Sequence, residues 1–188
     1  MTHEQALALL NEYTQSESLR KHALAVETAM RAYARKLGED EDYWGIVGLL
    51  HDFDWEIHPS LPDHPMKGAE ILRARGVDEA LILDLISHAD HSGVPRDTLL
   101  RKVLFAVDEL TGFIIAAALV RPSRSLDDLE ARSVVKKLKD KSFAAAVNRD
   151  DLRAGVEALG MDLSEHIQFV IEALRPIGTD LGLATGAS

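Results

Sequence analysis

Histidine and aspartate, two residue types that bind divalent metals, recur between positions 22 and 108 of the chain. The candidates are His22, the adjacent pair His51 and Asp52, His64, His88, His91 and Asp108. Imidazole nitrogen and carboxylate oxygen are the ligands that borderline and hard cations choose. One bound metal would account for His22, His51, Asp52 and Asp108 together. It would also lower the pKa of a bound water, so that hydroxide is available as a nucleophile near neutral pH. If these residues converge, we expect a metal-dependent hydrolase.

Two of the candidates lie on apolar helix faces. His22 shares its face with Val26 and Met30, where a lone histidine is more often a hydrogen-bonded core residue than a ligand. Asp108 lies in the middle of the helical segment LLRKVLFAVDELTGFIIAAAL. An ionised carboxylate on the apolar face of a buried helix is strongly destabilising unless it is paired or bound to metal. Asp108 is therefore the sharpest single indication of a metal.

The remaining candidates lie at predicted helix ends, where each has a structural alternative. A histidine such as His51 is mildly favourable at a helix C-terminus, but Asp52 has the wrong charge for that end and needs a cation or a donor nearby. His64 is either a loop residue before a proline or a ligand. His88 and His91 either cap the end of a helix or contribute to a metal site.

Apolar spacing predicts helices nearly throughout and no convincing strand, so the fold class is an all-α bundle. The predicted helices cover about 3–13, 17–37, 41–51, 65–75, 79–89, 98–120, 125–139, 149–159 and 164–175. Predicted caps are Gly38 at a C-terminus and, at N-termini, Asp78, Ser125, Asn148 or Asp150, and Ser164. The final residues 181–188 are expected to be frayed. The length of 188 residues predicts one domain with a C-terminal helical extension.

Composition excludes several partner classes. The chain has 21 Lys and Arg against 31 Asp and Glu, a net charge of -10, which argues against general affinity for nucleic acid or an anionic membrane. It has no cysteine, which excludes disulfides and thiolate metal sites. The N-terminus lacks the features of a signal peptide, so a cytoplasmic protein is expected. The apolar run Phe113–Val120 is too short to span a bilayer, and it is either core or the face of a homodimer.

The order His, His-Asp, Asp on successive helices resembles the HD-domain superfamily of metal-dependent phosphohydrolases. The resemblance covers about residues 15–120, in the segments LRKHALAVETAM, VGLLHD, HPMKGAEIL, ISHADHSG and LFAVDELTG. It implies an HD-like helical bundle within a single domain 1–188, with the core over about 15–120 and the extension over about 121–188. The closest likeness is to a group of uncharacterised predicted HD hydrolases that share an HDFDWEIHP loop. The sequence differs from the familiar HDIGK pattern, because Trp55 replaces the lysine, and it has no GYP motif.

The resemblance also implies a metal site. The core ligands would be His22, His51, Asp52 and Asp108. Members with two metals add histidines between the HD pair and the last aspartate. His64 and His88 match those places best, with His91 as the substitute, and Asp52 would then bridge the ions. The cofactor is therefore one or two divalent metals, with Mn, Fe, Mg, Zn, Co and Ni not distinguished.

The resulting hypothesis is a metal-dependent phosphohydrolase that acts on a small phosphorylated metabolite or nucleotide through a metal-activated water. Asp52 is the ligand-adjacent base, and Asp54 and Glu56 are weaker acid or base candidates. Candidate phosphate-binding residues are Lys67, Arg96, Arg121 and Lys136. The last two belong to the basic segment 121–149, which is either a solvated face or a phosphate-binding rim. The alternatives are a non-catalytic regulatory module that binds metal or nucleotide, and an oxygenase with a di-iron site.

Overall fold

Nine α-helices make up most of residues 1–184, the part of the chain that this computed structural model describes, and no strand occurs in that range. The helices are α1 (His3–Tyr13), α2 (Glu17–Leu37), α3 (Glu41–Leu50), α4 (Met66–Ala74), α5 (Glu79–Ile86), α6 (Leu99–Leu119), α7 (Ala131–Leu138), α8 (Arg149–Leu159) and α9 (Leu163–Leu174). Short 3₁₀ turns follow α5 at Asp90–Ser92 and α9 at Arg175–Ile177. The predicted all-α fold is confirmed.

The chain divides into two compact units, Met1–Leu104 and Phe105–Ser188. The first unit contains α1 to α5, and α6 begins in this unit and continues into the second. The second unit contains α7, α8 and α9. The predicted organisation, one domain with an extension from about residue 121, stays a prediction.

Helix α3 is the centre of the first unit. All of its residues from Trp44 to Leu50 are buried, as expected for a helix that is apolar on every side. It packs against α1, α2 and α5. The contact with α2 is close because Gly48 has no side chain. A Cβ atom at Gly48 would lie 2.9 Å from the Cα atom of Glu27. This close approach brings the C-terminal end of α3 against the helix that carries His22.

The second unit has a similar close contact. A Cβ atom at Gly155 of α8 would lie 2.7 Å from the Cα atom of Ala106. The buried His166 of α9 donates from Nε2 to the carbonyl oxygen of Ala106 at 3.0 Å. This hydrogen bond gives the buried His166 ring a partner, so its burial needs no metal. It also connects α9 to the part of α6 that lies in this unit.

Most predicted helix ends agree with the structure to within a residue or two. Gly38 ends α2 in the left-handed conformation at φ 74°. The side chain of Asp78 accepts from the Ala80 amide at the start of α5, and Asn148 caps α8. These three caps are confirmed. The predicted helix 79–89 is too long, because α5 ends at Ile86.

Two predicted N-caps are wrong. Ser125 is buried and accepts from the amide of Asp127 in a turn, whereas α7 begins only at Ala131. The Ala131 amide donates to Oε1 of Gln168, a residue of α9, so the partner at this helix start comes from far along the chain. At α9 the cap is Asp162, whose Oδ1 accepts from the amides of Ser164 and Glu165.

The C-terminal residues were expected to be frayed, but Leu181 and Leu183 are buried, which corrects that prediction for them. Residues 185–188 of the same prediction lie outside the described part of the chain.

The apolar run Phe113–Val120 has two kinds of surroundings. Phe113, Ile114, Ala117 and Ala118 are buried, whereas Leu119 and Val120 are 38% and 56% exposed. Half of the run is therefore core, and its use as a homodimer face stays a prediction. Within residues 1–184, no helix has both the length and the apolar character needed to cross a membrane.

The contact at Gly48 is testable by adding one methyl group. We expect Gly48→Ala to lower the free energy of unfolding by about 1–3 kcal/mol, because the new Cβ atom would push against the α2 backbone. Gly112→Ala in α6 is the matched control, since nothing lies within 4 Å of its Cβ position, and it should raise the free energy of unfolding by about 0.5–1 kcal/mol. Urea titration measures both values. Equal stability of the two variants would contradict the close packing of α2 and α3.

Candidate metal centre

The histidines and Asp52 of the first unit come from three helix ends and one helix face. His22 lies on the inner face of α2, and His51 directly follows α3. His64 precedes α4 and forms a cis peptide bond with Pro65. His88 follows the end of α5. The four imidazoles are therefore brought together by the packing of helices that are far apart in sequence.

The first group consists of His22, His51 and Asp52. The two Nε2 atoms of the histidines are 3.2 Å apart. Oδ2 of Asp52 lies 3.7 Å from Nε2 of His22 and 3.5 Å from Nε2 of His51. Each of the three residues offers one ligand atom, and these atoms lie within 4.8 Å of one another, which is a suitable spacing around a single ion.

The second group consists of His64, His88 and, again, Asp52. The Nε2 atoms of the two histidines are 3.0 Å apart. The other carboxylate oxygen of Asp52, Oδ1, lies 3.1 Å from Nε2 of His64 and 3.4 Å from Nε2 of His88. The two oxygens of Asp52 thus face different histidine pairs, which is the geometry of a bridging carboxylate.

Hydrogen bonds at Nδ1 determine which ring nitrogen faces the centre. Nδ1 of His51 donates to the carbonyl oxygen of Gly48 at 2.8 Å, and Nδ1 of His88 donates to that of Leu85 at 2.7 Å. Because a carbonyl only accepts, each Nδ1 carries the proton. The Nε2 atom of each neutral ring then presents a lone pair to Asp52.

His51 and His88 therefore both present acceptors to the centre when they are neutral. Lone pairs of imidazole nitrogen and carboxylate oxygen at about 3 Å repel one another unless a cation or an additional proton lies between them. A mixed nitrogen and oxygen set of this kind fits a divalent metal ion. The residues present fit the predicted cofactor, a divalent metal.

The charges at the centre shift two pKa values in opposite directions. Desolvation raises the pKa of Asp52, but the imidazoles of His51, His64 and His88 lower it by more, so the net pKa is well below its usual value. Burial lowers the pKa of His64, but hydrogen bonds to Asp52 and Asp54 raise it to about 9. The surroundings of Asp52 therefore favour positive charge.

The structure separates the candidates that the sequence left open. His88 belongs to the second group, whereas Nε2 of His91 donates to the backbone carbonyl of His64 at 2.8 Å. His91 thus contacts the chain that carries a candidate ligand and lies outside this group. Asp108 lies on α6 in the second unit, and its assignment as a ligand stays a prediction.

Asp54 and Glu56, the predicted acid or base candidates, have specific partners. Asp54 is fully buried, with Oδ1 2.9 Å from Nδ1 of His64. Oε2 of Glu56 accepts from the backbone amides of Gln15 and Ser16 at the start of α2. These contacts support orientation of a histidine by Asp54 and anchoring of the α1–α2 junction by Glu56. Their predicted catalytic roles stay predictions.

The cations of the first unit predicted to bind phosphate have partners of different strength. Lys67 is exposed and pairs with Glu70 one turn along α4. Such a surface pair contributes little and leaves the ammonium group available. Arg96 donates to the backbone carbonyls of Ser87 and His88 at 2.8 and 2.7 Å. Its contacts support the chain around His88.

The corresponding cations of the second unit lie in the basic segment. Arg121 donates to the backbone carbonyl and the carboxylate of Asp128, and Lys136 is exposed on α7. The pairing of Arg121 with a neighbouring acidic residue is typical of a solvated face. The phosphate-binding role of both residues stays a prediction.

Sequence reasoning did not single out Gly68, whose amide donates to Oδ2 of Asp54 at 3.0 Å. The only indication in the sequence is a glycine near the start of a helix, where a small residue can allow close approach of another chain segment. The edge-to-face contact of Trp55 with the His64 ring, with centroids 4.9 Å apart, had no indication in the sequence.

Comparison with known proteins gives one family. A family model described as HD domain matches residues 19–112, half of the 188-residue chain. The matched segment includes every histidine and aspartate predicted to bind metal. No curated protein and no solved structure matches the chain.

The raised pKa of His64 predicts a pH dependence of stability in the metal-free protein. Its pKa rises from the usual 6.5 to about 9 on folding, so the folded chain keeps a proton that the unfolded chain releases. This contribution is fully present below pH 6.5 and is lost as the pH rises through about 9. Urea titrations with a chelator should therefore give a free energy of unfolding that falls across this window, with a smaller fall in His64→Gln. Identical slopes for the two proteins would contradict this assignment.

The contacts of Glu56 predict a structural role. We expect Glu56→Ala to lower the free energy of unfolding by about 0.5–1 kcal/mol, because two exposed amides just before α2 exchange a charged acceptor for water. Metal content and hydrolytic activity per folded chain should stay near the wild-type level, because Thr14 still holds the same turn through the Phe53 carbonyl. Loss of activity with unchanged stability would instead support the acid or base role that the sequence predicts.

Proposed function

Because the chain belongs to the HD-domain superfamily, we propose that it is a metal-dependent phosphohydrolase that acts on a small phosphorylated metabolite or nucleotide. The observation that carries this proposal is the position of Asp52 between two histidine pairs, with one carboxylate oxygen facing each pair. A divalent ion held among these atoms would attract all of them at once, because each can offer it a lone pair.

The proposed ligands form two sets. His22, His51, Asp52 and, by resemblance, Asp108 would hold one ion. Asp52, His64 and His88 would hold a second ion if two are bound, with Asp52 as the bridge. A divalent ion held there supplies Lewis acidity, which polarises a phosphoryl group and makes water acidic near neutral pH.

Asp52 is proposed to act in two ways. Its low pKa keeps the carboxylate ionised at physiological pH, so its negative charge is available to the centre at all times. A carboxylate in this position can also accept a hydrogen bond from the attacking water and orient it toward the phosphorus atom. The negative charge and the orientation of the water would both come from the two carboxylate oxygens of Asp52.

Lys67 is our first candidate for binding the substrate phosphate. It follows His64 by three residues, and its pairing with Glu70 is exposed and weak. Arg96 is engaged by two backbone carbonyls and is better suited to holding the chain around His88. Arg121 and Lys136 remain candidates for a more distant part of a substrate.

The proposal predicts that one isosteric change abolishes both metal binding and turnover. Asp52→Asn removes the negative charge that faces both histidine pairs, so the metal per chain should fall from one or two equivalents to near zero. Phosphate release should fall by more than the roughly 10–100-fold loss typical of an outer-shell partner. Elemental analysis and a phosphate-ester panel with added Mn, Fe, Zn or Mg give the two readouts.

Asp84→Asn is the matched control. Asp84 is also a largely buried carboxylate of the first unit, and it accepts from Tyr43 and Arg101, both at 2.7 Å. This variant should lose some stability and keep its metal and activity. Wild-type activity in folded Asp52→Asn would overturn the proposed function.

The same experiment separates the two alternative functions. Metal binding without turnover across the whole panel would favour a regulatory module that binds metal or nucleotide. Consumption of dioxygen by the iron-loaded protein would favour a di-iron oxygenase.

A further inference from the structure

We infer that Asp54 is a positioning residue that fixes the tautomer of His64, with the Gly68 amide holding the carboxylate in place. Asp54 is fully buried and His64 is 4% exposed, so their contact is shielded from water. Oδ1 of Asp54 lies 2.9 Å from Nδ1 of His64. The consequence for metal binding rests on the proposed function, whereas the tautomer itself does not.

Groups on both sides of the ring compete for the single proton of a neutral His64. Asp54 faces Nδ1 at 2.9 Å, whereas an oxygen of Asp52 and Nε2 of His88 lie 3.1 and 3.0 Å from Nε2. Only the tautomer with its proton on Nδ1 leaves Nε2 free to bind a metal. Asp54 is the shorter and more deeply buried partner, and a hydrogen bond to an ionised group is stronger where water is excluded. The geometry therefore favours the tautomer that can act as a ligand.

Gly68 determines where the carboxylate of Asp54 lies. Its amide donates to Oδ2 at 3.0 Å, so each oxygen of Asp54 has its own donor. A Cβ atom at Gly68 would lie 2.6 Å from Cγ of Asp54, which leaves no space for any larger residue. Position 68 therefore requires a glycine, because the residue there must have no side chain and must donate from its backbone amide.

The His64 ring is restrained on its other sides as well. The rings of Trp55 and His64 are perpendicular, with their centroids 4.9 Å apart. Nε2 of His91 donates to the His64 carbonyl at 2.8 Å. Rotation of the ring by 180° would put Cδ2 in the place of Nδ1 and Cε1 in the place of Nε2, so it would break the contacts with both Asp54 and Asp52. The orientation and the tautomer are therefore set together.

Asp54→Asn reverses the preference with almost no change in shape. An amide can satisfy the Gly68 N–H only with its oxygen, which leaves the NH₂ group facing Nδ1 of His64. Nδ1 must then accept, so the proton moves to Nε2, where Asp52 accepts it. The variant should keep the fold and present a protonated nitrogen to the metal centre.

The test is nitrogen-15 NMR of the histidine rings in metal-free protein, at a pH high enough that the nitrogen shifts of His64 no longer change and the ring is therefore neutral. The wild type should carry the His64 proton on Nδ1, and Asp54→Asn should carry it on Nε2. Asp84→Asn is the control for loss of a buried carboxylate and should give the wild-type tautomer. The same tautomer in wild type and folded Asp54→Asn would overturn the inference. If Asp54→Asn fails to fold, an Nε2 proton in the wild type overturns it, and an Nδ1 proton there supports it.

Calorimetric titration with Zn²⁺ or Mn²⁺ gives the second readout. Asp54→Asn should weaken the binding step that uses His64 by roughly 10–100-fold, while Asp84→Asn should not change it. A wild-type protein that binds neither ion would contradict the proposed function and leave the tautomer comparison intact. Wild-type affinity in an Asp54→Asn variant that nevertheless shows the Nε2 proton would overturn the role of Asp54 toward the metal.

Discussion

The crowding of lone pairs around Asp52 is the constraint on which the first unit depends. Two pairs of Nε2 atoms are held at 3.0 and 3.2 Å, each beside one oxygen of the same carboxylate. Such a group is unfavourable where the facing atoms all present lone pairs, and it becomes favourable when a proton or a metal ion lies between them. The low pKa of Asp52 and the raised pKa of His64 are two consequences of this need for positive charge. A divalent cation would satisfy the same need with a defined geometry, because several ligand atoms converge on it from different helices.

Two helix ends make this arrangement possible through the same kind of hydrogen bond. His51 and His88 each follow a helix, and each donates from Nδ1 to the carbonyl three residues before it, Gly48 and Leu85. The last carbonyls of a helix lack an intrahelical partner, so they are available to a side chain. A helix that continued past His88 would give those carbonyls to backbone amides instead. The end of α5 at Ile86 is therefore part of the site, since it both frees the acceptor and fixes the nitrogen that faces Asp52.

The sequence was sufficient for the features that local rules control. Apolar spacing predicted the helices, and the order of His22, His51 and Asp52 indicated a shared centre, because residue type and helix period are both visible in a sequence. It could not assign Asp54 or Glu56, whose partners lie 10 and about 40 residues away and are known only after folding. The wrong cap at α7 has the same cause, since Gln168 of a later helix supplies the acceptor. The choice between His88 and His91 likewise depends on where α5 ends, and helix propensity places that end only to within a few residues.

The turn that carries Asp52 is held from outside the matched HD segment. Thr14 donates from Oγ1 to the carbonyl of Phe53 at 2.9 Å, and the amides of Gln15 and Ser16 donate to Glu56. These residues join α1 to α2 and precede residue 19, where the family match begins. Anchors at Phe53 and Glu56 fix the turn on both sides of Asp54, so the residue that orients His64 has little freedom to move. Precise placement of a ligand requires restraint of the groups behind it. The junction of α1 and α2 is therefore part of the scaffold of the centre, although none of its residues faces Asp52 in the contacts described.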